Sequence, residues 1–377
     1  MIQARGITRT YQTHGAFTGA RTVPALRGVD FTLPDGGAVS FIGESGCGKT
    51  TLGKILTGLE TFDGGELIVD GVALSGLKPR QREKYFRRIQ MIHQDPYSAL
   101  NPTRTVEATL RDPLRMRAKE RGASGGGGGD GEGEGGWRAR AAELLTLVGL
   151  EPAAVLPKYP HQLSGGQRQR VVIARALTVD PEVLIADEAV SMIDVSMRLG
   201  ILKLLRDLRS RLGISLVFIT HDVATARYVG EGGELHVIYR GEVVERGLTD
   251  EVILAPVHPY TQCLLSAVPI MRGLEEPGPD RTAPTTALDE RTPTPGCLFE
   301  PRCPFAQDQC AEKHPVLVPF GLDAVGESGA VGESNAAAAG PATDTGSENG
   351  SESGHVHACF YPESRRVVGV EVGAGSA

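Results

Sequence analysis

Residues 43–50 read Gly43-Glu44-Ser45-Gly46-Cys47-Gly48-Lys49-Thr50, and an amphipathic helical pattern continues from Thr51. A short apolar run, 38–42, precedes them. This is GxxxxGK[ST] in the strand–loop–helix setting that it needs. Small glycines let backbone N–H groups converge on phosphate oxygens, and the following helix points its positive end at the same place. Lys49 adds a mobile charge for β- and γ-phosphates, and Thr50 is placed to ligate Mg²⁺.

Two more apolar runs end in groups suited to the same chemistry. "PEVLIADEAVSMID" (181–194) closes a buried-strand pattern with Asp187-Glu188. An acid at the end of a core strand beside such a loop can hold Mg²⁺, and the next carboxylate can take a proton from an attacking water. The plainer alternative is an acidic pair that caps the next helix. "SLVFITHDV" (215–223) repeats the layout with His221, whose imidazole could bond a γ-phosphate. A lone histidine after a strand is more often structural. Farther back, "YPHQLSGGQRQRVVIARAL" (159–177) places Leu163-Ser164-Gly165-Gly166-Gln167 at the head of a helix whose apolar side is Val171, Val172, Ala174 and Leu177.

The elements that hold these groups must come from 377 residues, 40% of them hydrophobic, which is enough for two or three domains. A formal charge of −7 argues against a nucleic-acid-binding face. No apolar run approaches the roughly 18–20 residues of a membrane span, and the N-terminus lacks a leader pattern, so a cytoplasmic location is expected. The glycine-rich, acidic stretch 122–136 and the polar stretch 321–354 are expected to be disordered inserts. The Pro/Thr-rich stretch 272–296 is an expected linker. Residues 1–254 then form one domain, with a helical subdomain at about 95–180, and 255–377 form an extension.

Three of the six cysteines fall within "GCLFEPRCPFAQDQC" (296–310). With Cys359, the residues Cys297, Cys303 and Cys310 make four soft ligands. They suit a tetrahedral thiolate site, an iron–sulfur cluster, or reduced thiols that only pack. The spacings are not the short C-x₂-C knuckles of common zinc modules.

LSGGQ at 163–167 resembles the signature of ABC-type ATPases. The resemblance extends to Gln94 in "MIHQDPYSALNP", to a D-loop ending at Asp194 and to a switch histidine at His221, so it covers roughly residues 1–250. It implies an α/β fold of ABC-type P-loop NTPase: a RecA-like core, an antiparallel β subdomain and a helical subdomain, here with a small cysteine-containing C-terminal extension. It also implies ATP as substrate and Mg²⁺ held by Thr50, Gln94 and Asp187. Glu188 becomes the general base, with His221 and Gln94 beside it. Ser164, Gly165, Gly166, Gln167 and Asp194 would meet nucleotide across a head-to-tail dimer, and Tyr11 would stack on adenine. The chain departs from the pattern at Ala189, where proline usually follows the acidic pair; no catalytic group is lost.

The segment "APVHPYTQCLLSAVP" (255–269) and the cysteine tail through "HACFYP" (357–362) resemble those of ATP-binding subunits of oligopeptide/dipeptide (peptide/nickel) importers. That resemblance implies two membrane permease subunits, a homologous second ATPase, an external solute-binding protein acting indirectly, no nucleic acid, and a peripheral place on the cytoplasmic face of the membrane. It also implies a [4Fe–4S] cluster on the four cysteines. The other function class is a soluble ABC ATPase of DNA repair or regulation without a permease.

Overall fold

Apolar runs with β-branched residues become strands, and in the computed structural model these order into two units, Met1–Val243 and Val244–Ala377. The structure describes residues 1–14, 20–124, 134–266, 295–319 and 354–362. In the first unit β1 (Ile2–His14) and β2 (Ala20–Leu33) pair antiparallel and are extended by β4 (Gly64–Val69) and β5 (Val72–Ala73), in the order β2-β1-β4-β5. A second, parallel sheet runs in the order β9-β3-β8-β7-β6. Its strands are β3 (Ala38–Ile42), β6 (Ile89–Ile92), β7 (Val183–Asp187), β8 (Ser215–Thr220) and β9 (Glu234–Tyr239).

The unit's helices, in chain order, are α1 (Lys49–Leu56), α2 (Pro79–Phe86), α3 (Pro96–Ala99), α4 (Val106–Ser124), α5 (Glu134–Leu147), α6 (Pro152–Val155), α7 (Gly165–Leu177), α8 (Val195–Leu212) and α9 (Val223–Val229). Strands β3, β7 and β8 are buried along their whole length. Parallel strands covered on both faces are continuous apolar runs, and successive side chains serve opposite layers. Val217, Ile219 and Ile185 share a core with Leu52 and Ile55 of α1 and with Phe31 of the antiparallel sheet. Leu216, Phe218 and Leu184 pack instead with Val171 of α7 and Leu205 of α8.

The parallel strands deliver their C-terminal ends to one edge, where open α/β sheets bind ligands. The loop of residues 43–48 follows β3, Gln94 lies just past β6, Asp187 ends β7, and His221 follows β8.

Residues 122–124 complete α4 and 134–136 begin α5, so the flanks of the expected disordered insert are helical. The cause is a shared core: Leu110 and Leu114 of α4 pack with Ala141, Leu144 and Leu145 of α5, which carries both helices into the glycine tract. The rest of that insert, most of the linker 272–296 and nearly all of the stretch 321–354 lie outside the described residues.

The second unit contains β10 (Glu242–Leu248) from Val244 onward, α10 (Thr249–Leu254), α11 (Pro259–Ser266), α12 (Asp308–Glu312), β11 (Val318–Pro319) and β12 (Val356–His357). The two-residue β12 lies between β10 and β11, antiparallel to both. Among the described residues no helix is long and apolar enough to cross a membrane.

Candidate active site

The glycine loop is shaped by backbone crowding. Gly48, the N-cap of α1, has φ 107°, and a Cβ there would stand 2.2 Å from the Ala25 carbonyl oxygen. Only glycine fits both the left-handed conformation and that approach. Lys49 is buried, and its Nζ donates to the carbonyls of Gly43 (2.7 Å) and Glu44 (2.8 Å). Its ammonium thus sits inside the loop, with the Cys47 sulfur at 3.5 Å. Burial pushes the Cys47 thiol pKa up, which keeps it protonated and unreactive.

Across from the loop, the Thr50 hydroxyl donates to Asp187 Oδ1 at 3.2 Å. Asp187 is buried, and burial, with the neighbouring Glu188 charge adding to it, raises its pKa above the ordinary carboxylate range. A divalent cation would reverse that balance. Glu188 is held in left-handed backbone, φ 47°. Its N–H donates to the Ile219 carbonyl (2.8 Å), while its own carbonyl accepts from Ser191 N (3.0 Å) and Ser191 Oγ (2.9 Å). The carboxylate is pinned on both oxygens: Gln94 Nε2 donates to Oε2 at 3.0 Å and His221 Nδ1 lies 3.1 Å from Oε1. Glu188 keeps only 14% of its side chain exposed, against 55% for His221, so the imidazole lies on the open side. Such a group can orient a water, take its proton and meet an anion that arrives from solvent.

The signature segment forms a constellation of its own. Ser164 caps α7: its Oγ accepts from Gln167 N (3.2 Å) and its N–H donates to Gln167 Oε1 (3.1 Å). This reciprocal box leaves Gly165 and Gly166 in the first turn of a helix, a setting that favours anions. Buried Arg168 holds the approach to the turn by donating to the carbonyls of Pro160 (3.0 Å) and Leu163 (2.8 Å), and its guanidinium stacks 3.6 Å from the Tyr97 ring centroid. Ser164 and Gln167 bond each other rather than any member of the loop group. Asp194 is the N-cap of α8 and makes no side-chain capping bond.

Tyr11 is half-buried on β1. Its hydroxyl donates to Glu60 Oε2 at 3.3 Å, and the Arg9 guanidinium lies 5.0 Å from its ring centroid. Arg9 in turn pairs with Glu60 and Asp63, both at 2.8 Å. Sequence reasoning missed Arg9, Glu60 and Ser191, which act through a ring face, a hydroxyl and a carbonyl that no spacing rule describes. Arg168 lies within the quoted signature helix, but nothing in its spacing points to Tyr97.

Near Gln94 a groove of about 420 Å³ is lined by Phe86, Met91, His93, Pro113, Val172 and Arg175 among others. Burial lowers the His93 pKa, with the Lys54 and Arg175 charges acting in the same direction, so its ring is neutral in a partly apolar groove.

In the second unit Cys297, Cys303, Cys310 and Cys359 line one cavity of about 20 Å³. Burial, aided by the other thiols, pushes Cys297 up to about 12 and Cys303 up to about 11. Among the described residues no group of three or more His, Cys, Asp or Glu side chains is arranged to hold a single metal ion. Cys263 of α11 is half-buried and is not among the residues lining that cavity.

Comparison with known proteins agrees with this layout. Residues 26–191 match the ABC transporter family, and residues 244–310 match the C-terminal region of oligopeptide/dipeptide transporters. A probable peptide ABC transporter ATP-binding protein of Sinorhizobium fredii is 37% identical over 331 residues, covering 85% of this chain and 87% of the relative. The dipeptide transport ATP-binding protein DppF of Escherichia coli is 38% identical over 330 residues, covering 85% and 92%. Among solved structures, a dimeric ATP-binding cassette in a post-hydrolysis state, bound to ADP and Pi, superposes with a TM-score of 0.54 at 32% identity; it covers 64% of this chain and 96% of that one. The loop, the pinned carboxylate, the signature turn and these relatives lead to one assignment: the chain belongs to the ABC transporter ATP-binding protein family.

Proposed function

We propose that this chain is the ATP-hydrolysing, energy-coupling subunit of an importer for peptides or related solutes. The observation that carries the reading is the Glu188 carboxylate, held between Gln94 and His221 at the edge where Lys49, Thr50 and Asp187 converge. The residues from Gly43 to Thr51, with Glu44, Ser45, Gly46, Cys47 and Gly48 between them, bind the triphosphate through backbone amides, and Lys49 leaves its two carbonyl partners for phosphate oxygens. Thr50, Asp187 and Gln94 fit a hard cation by their oxygen donors, and Mg²⁺ held by them would supply neutralisation of phosphate charge. Glu188 takes the proton of the attacking water, and His221 contacts the γ-phosphate from the exposed side. Tyr11 stacks on the adenine.

A second ATPase, identical or homologous, completes the site. Ser164, Gly165, Gly166 and Gln167 of one chain face the γ-phosphate bound by the other, and Asp194 lies near the same seam. Closure then depends on contacts that ATP makes and ADP does not, which is what allows hydrolysis to drive a two-state motion. Gln94 passes the nucleotide state to the adjoining groove, where a segment of a membrane permease docks. Two such permeases and an externally delivered solute follow, and the chain works as a peripheral protein on the cytoplasmic face. The functional division we infer is residues 1–254 for the motor and 255–377 for the extension.

The match at 244–310 and the peptide-transport relatives support the peptide class over a permease-free ATPase. The four thiols fit an iron–sulfur cluster better than a single zinc: they line one cavity, yet among the described residues no three of them close on one ion, as four ligands on four different irons would not. Such a cluster would supply a structural or redox-sensitive anchor outside the hydrolysis chemistry.

The ATP reading is tested by Lys49→Ala. Equilibrium binding of a fluorescent ATP analogue should weaken by about tenfold or more, as expected for the loss of a charge-assisted contact. Unchanged affinity would remove the loop from the site.

A further inference from the structure

The HPYT turn at 258–261 is assigned no part in the hydrolysis chemistry, yet it borders a buried polar cluster that includes Glu245, His258 and His357. We propose that Glu245 and His258 act as a clasp that seats the tail segment 354–361, and thereby position Cys359 beside Cys297, Cys303 and Cys310. The proposal deepens the reading of the four thiols as one site and relies on that reading only for what the thiols hold.

Glu245 lies in β10 with its side chain fully buried, where a carboxylate without partners would be costly. Three donors meet it: Val257 N at 2.8 Å, His258 N at 2.9 Å and His355 Nε2 at 2.7 Å. The first two fix the entry to the HPYT turn, and the third belongs to the tail. His258 repeats the bridge. Its Nδ1 accepts from Tyr260 N at 3.1 Å inside the turn, and its ring also bonds the Ala358 backbone in the tail. Complete burial depresses its pKa to about 3, so it serves as a neutral hydrogen-bonding group.

The tail needs such a device. Its strand pairing is only two residues long, Glu245 opposite His357 and Arg246 opposite Val356, with one further bond from Ala358 N to Val244 O at 2.8 Å. So short a ladder specifies register weakly, and a slip of one residue would turn every side chain to the other face and carry Cys359 away from the cavity. The two buried contacts fall on either side of β12, at His355 and Ala358, and fix the register that the ladder cannot. Close approach is built in as well: a Cβ on Gly247 would stand 3.1 Å from His355 Cα. Beyond the clasp, Phe360 packs on Cys310 and the Tyr361 hydroxyl donates to Gln309 Oε1 at 3.3 Å, which completes the wall of the cavity.

The test uses the full chain, reduced and metal-free, with each cysteine's rate of maleimide labelling read by mass spectrometry. His355→Ala and Glu245→Gln should each speed labelling of Cys359 by about tenfold through local opening, while Cys47, in the first unit, changes by less than about twofold. His355→Gln, whose amide can donate where Nε2 did, should bring Cys359 back to within about threefold of wild type. Unchanged labelling of Cys359 in both disrupting variants would overturn the clasp. So would a uniform rise at all cysteines, Cys47 in the first unit included, because that marks general destabilisation. Anaerobic reconstitution with iron and sulfide is read separately: failure of the wild type to gain a chromophore would end the cluster reading and leave the labelling result standing.

Discussion

Asp187 shows at one residue how folding and chemistry pull apart. Burial raises its pKa, so folding disfavours the ionised form that a cation needs. The penalty is absent below the ordinary carboxylate value, grows as pH rises from there to the raised value in the folded protein, and is constant above it. Asp187→Asn keeps an oxygen for the Thr50 hydroxyl and removes the penalty. It should raise the Tm of the nucleotide-free protein at pH 7 by about 2–4 °C, abolish extra stabilisation by Mg²⁺ with ATP, and differ less from wild type as pH falls toward the ordinary carboxylate value. Differential scanning calorimetry across that pH range checks this, and a lower Tm for the variant at pH 7 would contradict it. The residues proposed to touch phosphate, cation or water were legible because that chemistry dictates their types: Lys49, Thr50, Asp187 and Glu188 stand where strand and loop patterns put them. Ser191, Arg9 and Glu60 were not, since a serine on a glutamate carbonyl or an arginine over a tyrosine ring leaves no mark in spacing.

At the scale of elements, the signature helix depends on its first turn. Ser164 satisfies the Gln167 amide and sets the direction of the glycine amides behind it. Ser164→Ala should therefore cost about 1 kcal/mol of stability by loss of the cap. Because the same hydroxyl is proposed to face the partner chain's γ-phosphate, the ATPase rate should fall by more than a cap alone explains. Urea unfolding and steady-state turnover on one preparation separate the two; equal ATPase rates would reduce Ser164 to a cap. The buried strands β3, β7 and β8 were readable as unbroken apolar runs. The helical ends of α4 and α5 were not, because local composition at 122–136 favours disorder and only packing between Leu110, Leu114, Leu144 and Leu145 overrides it. The seating of Cys359 was equally hidden: it depends on Glu245, more than a hundred positions earlier in the chain.

Across the whole molecule, the parallel sheet gathers the groups proposed for catalysis at one edge, while Ser164 and Gln167 of the signature turn bond each other. The second unit carries the thiols and the HPYT turn, and residues 244–310 match the C-terminal region of oligopeptide/dipeptide transporters. Hydrolysis through Glu188 is proposed to be coupled to transport. The most direct measurement is uptake of a labelled peptide into vesicles holding this chain, its partner ATPase and the permease pair, with a peptide-loaded binding protein outside. Wild type should take up peptide only with ATP on the side of this chain, and Glu188→Gln should bind ATP yet lose turnover by about 10²–10⁴-fold, and uptake with it. Turnover that survives Glu188→Gln, or turnover indifferent to permease and binding protein but stimulated by DNA, would contradict the account.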